Sequence, residues 1–147
     1  MNIISKAFHD LSAKELYAAL RLRSAVFVVE QKCAYQDADN HDQSAQHLLM
    51  MQGDALIAYA RILPPGGKYP QCSIGRIAVG AAHRGKNYGR QLMDFALAEA
   101  RRLYPRSKLM VQAQTYLAPF YQSYGFQSCT DEYDEDGVMH VDMEMAA

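Results

Sequence analysis

The stretch Gly75-Arg76-Ile77-Ala78-Val79, followed closely by Arg84-Gly85-Lys86-Asn87-Tyr88-Gly89-Arg90, constrains this chain more than any other. A β-rich apolar run stops, a short turn follows, and a basic, glycine-punctuated loop opens a long amphipathic helix. That order makes a phosphate cradle. Glycines let backbone N–H groups converge, a helix N-terminus adds partial positive charge, and Arg84, Lys86 and Arg90 bring full charges. Net charge over the 147 residues is −1, and the cationic cluster is confined to residues 83–90. The implied ligand is therefore a small phosphorylated cofactor and not nucleic acid.

The length suits one domain spanning residues 1–147. No apolar stretch approaches the ~20 residues of a membrane span, and the first residues lack a secretory h-region. Cys33, Cys72 and Cys129 form no spaced motif and cannot all pair. They are expected as free buried thiols in a reducing cytoplasm.

Ser12 and Glu15 stand at capping-box spacing and predict a helix start, with Leu16, Leu20 and Phe27 on one face, Arg21 and Arg23 off it, and an end near Val26-Phe27-Val28-Val29. Residues 33–46 form a polar loop with Asp37, Asp39, Asn40 and Asp42. The sixth and twelfth positions from Asp37 are Asp42 and Leu48, so the EF-hand pattern fails and no metal is expected. Residues 47–51 and 55–62 read as a hairpin, Pro64-Pro65-Gly66-Gly67 as a break, and residues 73–79 as the next strand. A helix follows over 88–104, stopped by Pro105, then a strand over 108–114 that the crossover makes parallel. A short helix over 117–124 ends at Gly125, and residues 127–133 and 138–145 pair around Asp134-Glu135-Asp136-Gly137.

The P-loop and dinucleotide fingerprints are both absent. What remains, Arg84 to Gly89, resembles the acyl-CoA pyrophosphate loop of the GNAT superfamily, Gln/Arg-x-x-Gly-x-Gly/Ala, with Asn87 at the middle glycine. Asparagine tolerates left-handed backbone better than most residues. Phe120-Tyr121-Gln122-Ser123-Tyr124-Gly125-Phe126 is similar to the superfamily's C-terminal helix signature, at the right distance downstream. The segments 23–31, 35–37 and 58–63, with Glu135-Asp136-Gly137 and His140, resemble its ElaA-type branch.

The resemblance implies an α/β (α+β) GNAT-like acyl-CoA N-acyltransferase fold: a mixed, mostly antiparallel sheet flanked by helices and splayed between the two parallel strands ending at Val79 and Gln114. It implies an N-acetyltransferase that uses acetyl-CoA as acyl donor and an unidentified amine as acceptor. Backbone groups of Ile77, Ala78 and Val79 would hold the pantetheine arm. Arg84, Gly85, Lys86, Asn87, Tyr88, Gly89 and Arg90 would hold the pyrophosphate, with Gln114 at the end of the neighbouring strand. Tyr121 would be the general acid, since a phenol stays protonated at neutral pH and can donate to a departing thiolate.

No Asp or Glu lies in residues 73–79, so the base stands elsewhere. Glu30, beside an apolar run expected to raise its pKa, and His140, an imidazole, are the candidates. Arg61 and Arg76 interrupt apolar strands and need carboxylate partners, from Glu30, Asp37 or Asp39 or from an acceptor. His47 offers a lining to the cleft. Two alternatives compete: an acyl-CoA-binding regulatory module without turnover, and a nucleotide-phosphate binder of another kind. Edge strands offer a route to a homodimer.

Overall fold

A computed structural model describes residues 1–147. Its frame is one eight-stranded sheet. The strands are β1 (Asn2–Ala7), β2 (Gln46–Gln52), β3 (Ala55–Leu63), β4 (Cys72–Val79), β5 (Leu109–Gln114), β6 (Gln127–Ser128), β7 (Tyr133–Glu135) and β8 (Val138–Met145). Their order is β1-β2-β3-β4-β5-β8-β6, with β7 also on β8. Only β4 and β5 run parallel. The helices are α1 (Ala13–Arg23), α2 (Tyr88–Leu103) and α3 (Ala118–Gln122).

The two sheet faces follow from alternation along the strands. Leu48 and Met50 of β2, and Ala58, Ala60 and Ile62 of β3, join a core with Leu92, Met93, Ala96 and Ala100 of α2. Leu49 and Tyr59 point the other way, onto Ala19 of α1. The i, i+3, i+4 spacing of the α2 residues turns one stripe to the sheet. Burying each such side chain contributes about 1.5–3 kcal/mol.

Helix α1 begins as its capping box requires. Ser12 Oγ accepts from the Glu15 amide at 3.0 Å, and Glu15 Oε1 accepts from the Ser12 amide at 2.8 Å. Lys6 Nζ donates to the same carboxylate at 2.9 Å, which ties the helix to β1. Strand β1, which no local signal announces, pairs antiparallel with β2 from Asn2↔Met51 to Ala7↔Gln46.

Beyond Arg23 the chain does not stop at Val26. It widens into a π-helical segment, Ser24–Glu30. Such wide turns occur frequently at functional sites, and this one carries Val26, Phe27 and Glu30 to the wall of a cleft. Arg23, expected off the apolar face, is fully buried.

The C-terminal half departs in detail. Residues 115–117 form a 3-10 turn before α3, which is shorter than expected. The strand expected over 127–133 is split into β6 and β7. The β7–β8 hairpin turns at Asp136 (φ +54°) and Gly137 (φ +83°), the left-handed pair that tight hairpins favour. Of the cysteines expected to be buried, only Cys72 is; Cys33 is half-buried and Cys129 exposed. No helix is long and apolar enough to cross a membrane.

Candidate active site

Strands β4 and β5 pair only at Cys72↔Leu109 and Ser73↔Met110. Past that point they diverge, and β4 has no strand partner on its β5 side. A bulge assists the divergence. Between the pairs Tyr59↔Ala78 and Arg61↔Gly75, β3 advances two residues while β4 advances three. Arg76 and Ile77 thus stand against Ala60 alone, and Arg76 is held at φ +52°. A left-handed conformation costs a non-glycine residue about 1–2 kcal/mol, so something must hold it there.

The polar loop does so. Arg76 Nε lies 2.9 Å from Asp37 Oδ1 and its Nη2 3.3 Å from Asp39 Oδ2. Its guanidinium also stands 5.5 Å over the Tyr35 ring. Behind it, Arg61 reaches Asp39 at 2.6 Å and Asp42 at 2.9 Å, and Arg23 reaches Asp37 at 2.9 Å and Asp42 at 2.8 Å. Three arginines thus meet three aspartates. Burial works to raise the Asp39 and Asp42 pKa values, but hydrogen bonds from Arg61 and Arg23 hold both below the usual range. The acidic loop is consumed by internal ion pairs. Arg61 and Arg76 have the carboxylate partners their strand positions require.

His47 is buried away from the cleft, with its ring nitrogens 2.6 Å from the Tyr59 hydroxyl and 2.9 Å from the Asp42 carbonyl. Burial lowers its pKa. Its expected place on the cleft wall is not realised.

The divergence opens a cleft of about 830 Å³, within the range of cofactor and small-molecule sites. Ile77, Ala78, Val79, Arg84, Gly89 and Gln114 line it, together with Tyr121, Glu30 and His140. Gly85, Lys86, Asn87, Tyr88 and Arg90 complete the loop without lining the cleft. Gly85 takes φ +79° and Asn87 φ +67°, so asparagine adopts the left-handed backbone that the missing glycine would supply. The Asn87 side chain makes no cap, and the first bond of α2 is Gln91 N to Asn87 O at 3.2 Å. Helix geometry therefore leaves the amides of Tyr88, Gly89 and Arg90 without helical acceptors. The Arg90 side chain turns elsewhere. Its guanidinium lies 5.2 and 5.0 Å over the Phe120 and Tyr124 rings and donates to Ser123 Oγ at 3.2 Å. Tyr88 packs against the core. The side chains of both are thus engaged away from the cleft.

Tyr121, carried on α3, is buried, with Phe120 and Phe126 edge-on at 5.2 and 6.1 Å. Burial pushes its pKa up to about 12, so it keeps its proton at neutral pH. Glu30 contradicts its expectation. Arg84 Nη1 donates to its Oε2 at 2.7 Å, and that bond lowers its pKa where the apolar neighbours were expected to raise it. His140 is set opposite Gln114 in the β5–β8 ladder. Its Nδ1 lies 2.8 Å from the Val138 carbonyl. A carbonyl only accepts, so Nδ1 carries the proton and the neutral ring keeps its lone pair on Nε2.

The wall facing the loop also includes Cys33, Lys68 and Gln112, which no motif announced. Gln31 Oε1 accepts from Gln114 Nε2 at 3.1 Å. Cys33 Sγ donates to the Asp136 carbonyl at 2.9 Å. Lys68 and Gln112 meet at 3.0 Å. The alternation of β5 puts Gln112 on the same side as Gln114, which is a signal the sequence did contain. Lys68, in a loop after Pro64-Pro65-Gly66-Gly67, had none.

A family model described as an acetyltransferase (GNAT) domain matches residues 9–147. The chain belongs to the GNAT acetyltransferase family. Among its GNAT-type relatives, protein ElaA of Escherichia coli (strain K12) is 44% identical over 136 residues, covering 91% of this chain and 89% of that protein. The crystal structure of Escherichia coli ElaA superposes with a TM-score of 0.91 at 41% identity over 97% of each chain. An acyl-CoA N-acyltransferase from Pseudomonas aeruginosa superposes with a TM-score of 0.95 at 41% identity over 99% of each chain. The GNAT fold, with its parallel β4–β5 pair in an otherwise antiparallel sheet, is thus the architecture of this chain, and the chain is ElaA-like.

Proposed function

We propose that the chain, as one domain over residues 1–147, is an N-acetyltransferase that moves an acetyl group from acetyl-CoA directly to a primary amine of a small molecule or peptide. One observation carries the reading. The opened β4 edge, the uncapped start of α2 and the Tyr121 phenol all face or border one cleft.

In this reading the amides over residues 84–90 bind the diphosphate, helped by Arg84 and the α2 dipole. The free edge at Ile77, Ala78 and Val79 takes the pantetheine arm, as an added strand would be taken. A main-chain N–H there polarises the thioester carbonyl. The amine nitrogen attacks the carbonyl carbon, and the C–S bond breaks. Tyr121 protonates the departing sulfur. His140, with its Nε2 lone pair, takes the amine's proton directly or through a water. Glu30 in its ion pair is a poor base, and it holds Arg84 only until the diphosphate takes its place.

A thiol-release assay across a panel of primary amines, run with acetyl-CoA, tests the proposal. Amine-dependent release supports it. Tight CoA binding with no release for any amine would favour the regulatory module, and preference for ATP or NAD over CoA in calorimetry would remove both.

A further inference from the structure

Lys68 lies in the β3–β4 connection, outside every motif. The residue is exposed along the loop, yet its Nζ turns inward and donates to Gln112 Oε1 at 3.0 Å. Gln112 stands two residues past Met110, the last β5 residue paired with β4. The ammonium is therefore held at the fork where the two strands part. A second, smaller cavity of about 50 Å³ at that fork is bordered by Lys68, Gly75, Arg76 and Gln112 as well. Lys68 is the only lysine that lines the large cleft. Its amine is on the Gln112–Gln114–His140 side of the sheet, the side that carries the proposed base. Withdrawal from water lowers its pKa, and the positive charges of Arg76 and Arg61 add to this, against the weaker pull of Asp39 and Glu135. A larger fraction of the amine is then neutral and nucleophilic.

We propose that Lys68 is an internal acceptor, acetylated on Nζ by acetyl-CoA bound in the cleft of the same molecule. The proposal rests on the acetyl-CoA reading above. The Nζ lone pair attacks the thioester carbonyl carbon, a C–N bond forms and the C–S bond breaks. Of the two protons the ammonium loses, one ends on the sulfur of CoA and the other passes to water. The products are acetyl-Lys68 and free CoA thiol, and no further reactant is needed.

The test is incubation of the full chain with acetyl-CoA and no added amine, followed by intact-mass and peptide-mapping mass spectrometry. Calorimetry with acetyl-CoA runs in parallel. The expected result is one acetyl group per chain, on Lys68. Lys68→Arg should acquire it at least about tenfold more slowly, and excess CoA should slow the wild-type chain to the same degree. Acetylation of Lys68 no faster than that of exposed Lys14, or a rate indifferent to excess CoA, overturns the proposal as ordinary chemical acetylation. Binding of acetyl-CoA with Lys68 left unmodified overturns the internal acceptor and leaves the cofactor reading standing. Absence of binding overturns both.

Discussion

Arg84 Nη1 sits 2.7 Å from Glu30 Oε2, so the first residue of the cradle is joined to the last residue of the π-helical segment. Arg84 Nε also donates to the Val79 carbonyl at 3.1 Å. One guanidinium thus links the end of β4, the cradle and the opposite wall of the cleft. A phosphate bound at Arg84 as proposed would compete with Glu30 for it.

Glu30→Gln separates a brace from a base. Both side chains are 42% exposed, and solvent screens such a pair, so the substitution should change stability by less than about 1 kcal/mol. Turnover should stay within about threefold of wild type, since a lost general base would cost about a hundredfold or more. CoA affinity should not fall, because Arg84 loses a competitor. Steady-state kinetics and calorimetry on the variant check all three, and a hundredfold loss of kcat would restore Glu30 as the base.

What could be read beforehand followed from local chemistry. The capping box, the α2 stripe and the Asp-Gly turn each depend on residues a few positions apart, and each lies where spacing put it; the left-handed Asn87 followed from the resemblance of its loop. What could not be read was set by distant partners. Glu30 has apolar neighbours in sequence, but its charge state is decided by Arg84, 54 positions away. Arg23 looked like a solvent-facing helix residue until the loop carrying Asp37 and Asp42 folded over it. Strand β1 offers only Ile3 and Ile4 as strong β formers and is defined by its pairing with β2. Lys68 and Gln112 belong to one site only because β4 and β5 share a fork.

Tyr121→Phe should lower kcat by about a hundredfold and leave the CoA dissociation constant within about twofold. The hydroxyl has no hydrogen-bonded protein partner to lose, and the ring keeps its packing on Phe120 and Phe126. Burial raises the phenol pKa, so no loss of activity around neutral pH is attributable to its ionisation. An unchanged kcat removes Tyr121 from the chemistry.

His140→Gln should lower kcat/KM by about a hundredfold while leaving the CoA dissociation constant within about twofold. Glutamine keeps an amide near the Val138 carbonyl but supplies no basic lone pair in place of Nε2. An unchanged kcat/KM in the variant would assign the base to another group.

Asn87 gives a test of the cradle's backbone. At φ +67°, Asn87→Ala should cost about 1 kcal/mol of stability, whereas Asn87→Gly should stay within about 0.5 kcal/mol of wild type. The alanine variant should also bind CoA more weakly, because relaxing that residue moves the free amides of Tyr88 and Gly89. Urea denaturation and calorimetry on the pair read both effects.

The aspartate network predicts a signed response to acid. Asp39 and Asp42 have folded pKa values below their unfolded values. A depressed carboxylate contributes stability that is fully present above the unfolded value, about 3.9, and is lost as pH falls through the folded one. Denaturant midpoints of the wild-type chain should therefore be flat in this contribution above about pH 5 and fall below about pH 4. Asp42→Asn removes a carboxylate shared by Arg23 and Arg61 and should cost about 3 kcal/mol at neutral pH, as breaking buried pairs does. The variant should lose less than wild type on acidification, so the two curves should converge toward low pH. Parallel curves would show that the carboxylate's ionisation contributes nothing to the fold. Because the same network holds Arg76 at φ +52°, the variant should also weaken CoA binding at neutral pH, where the protein is still folded, by loosening the bulge that keeps the β4 edge free.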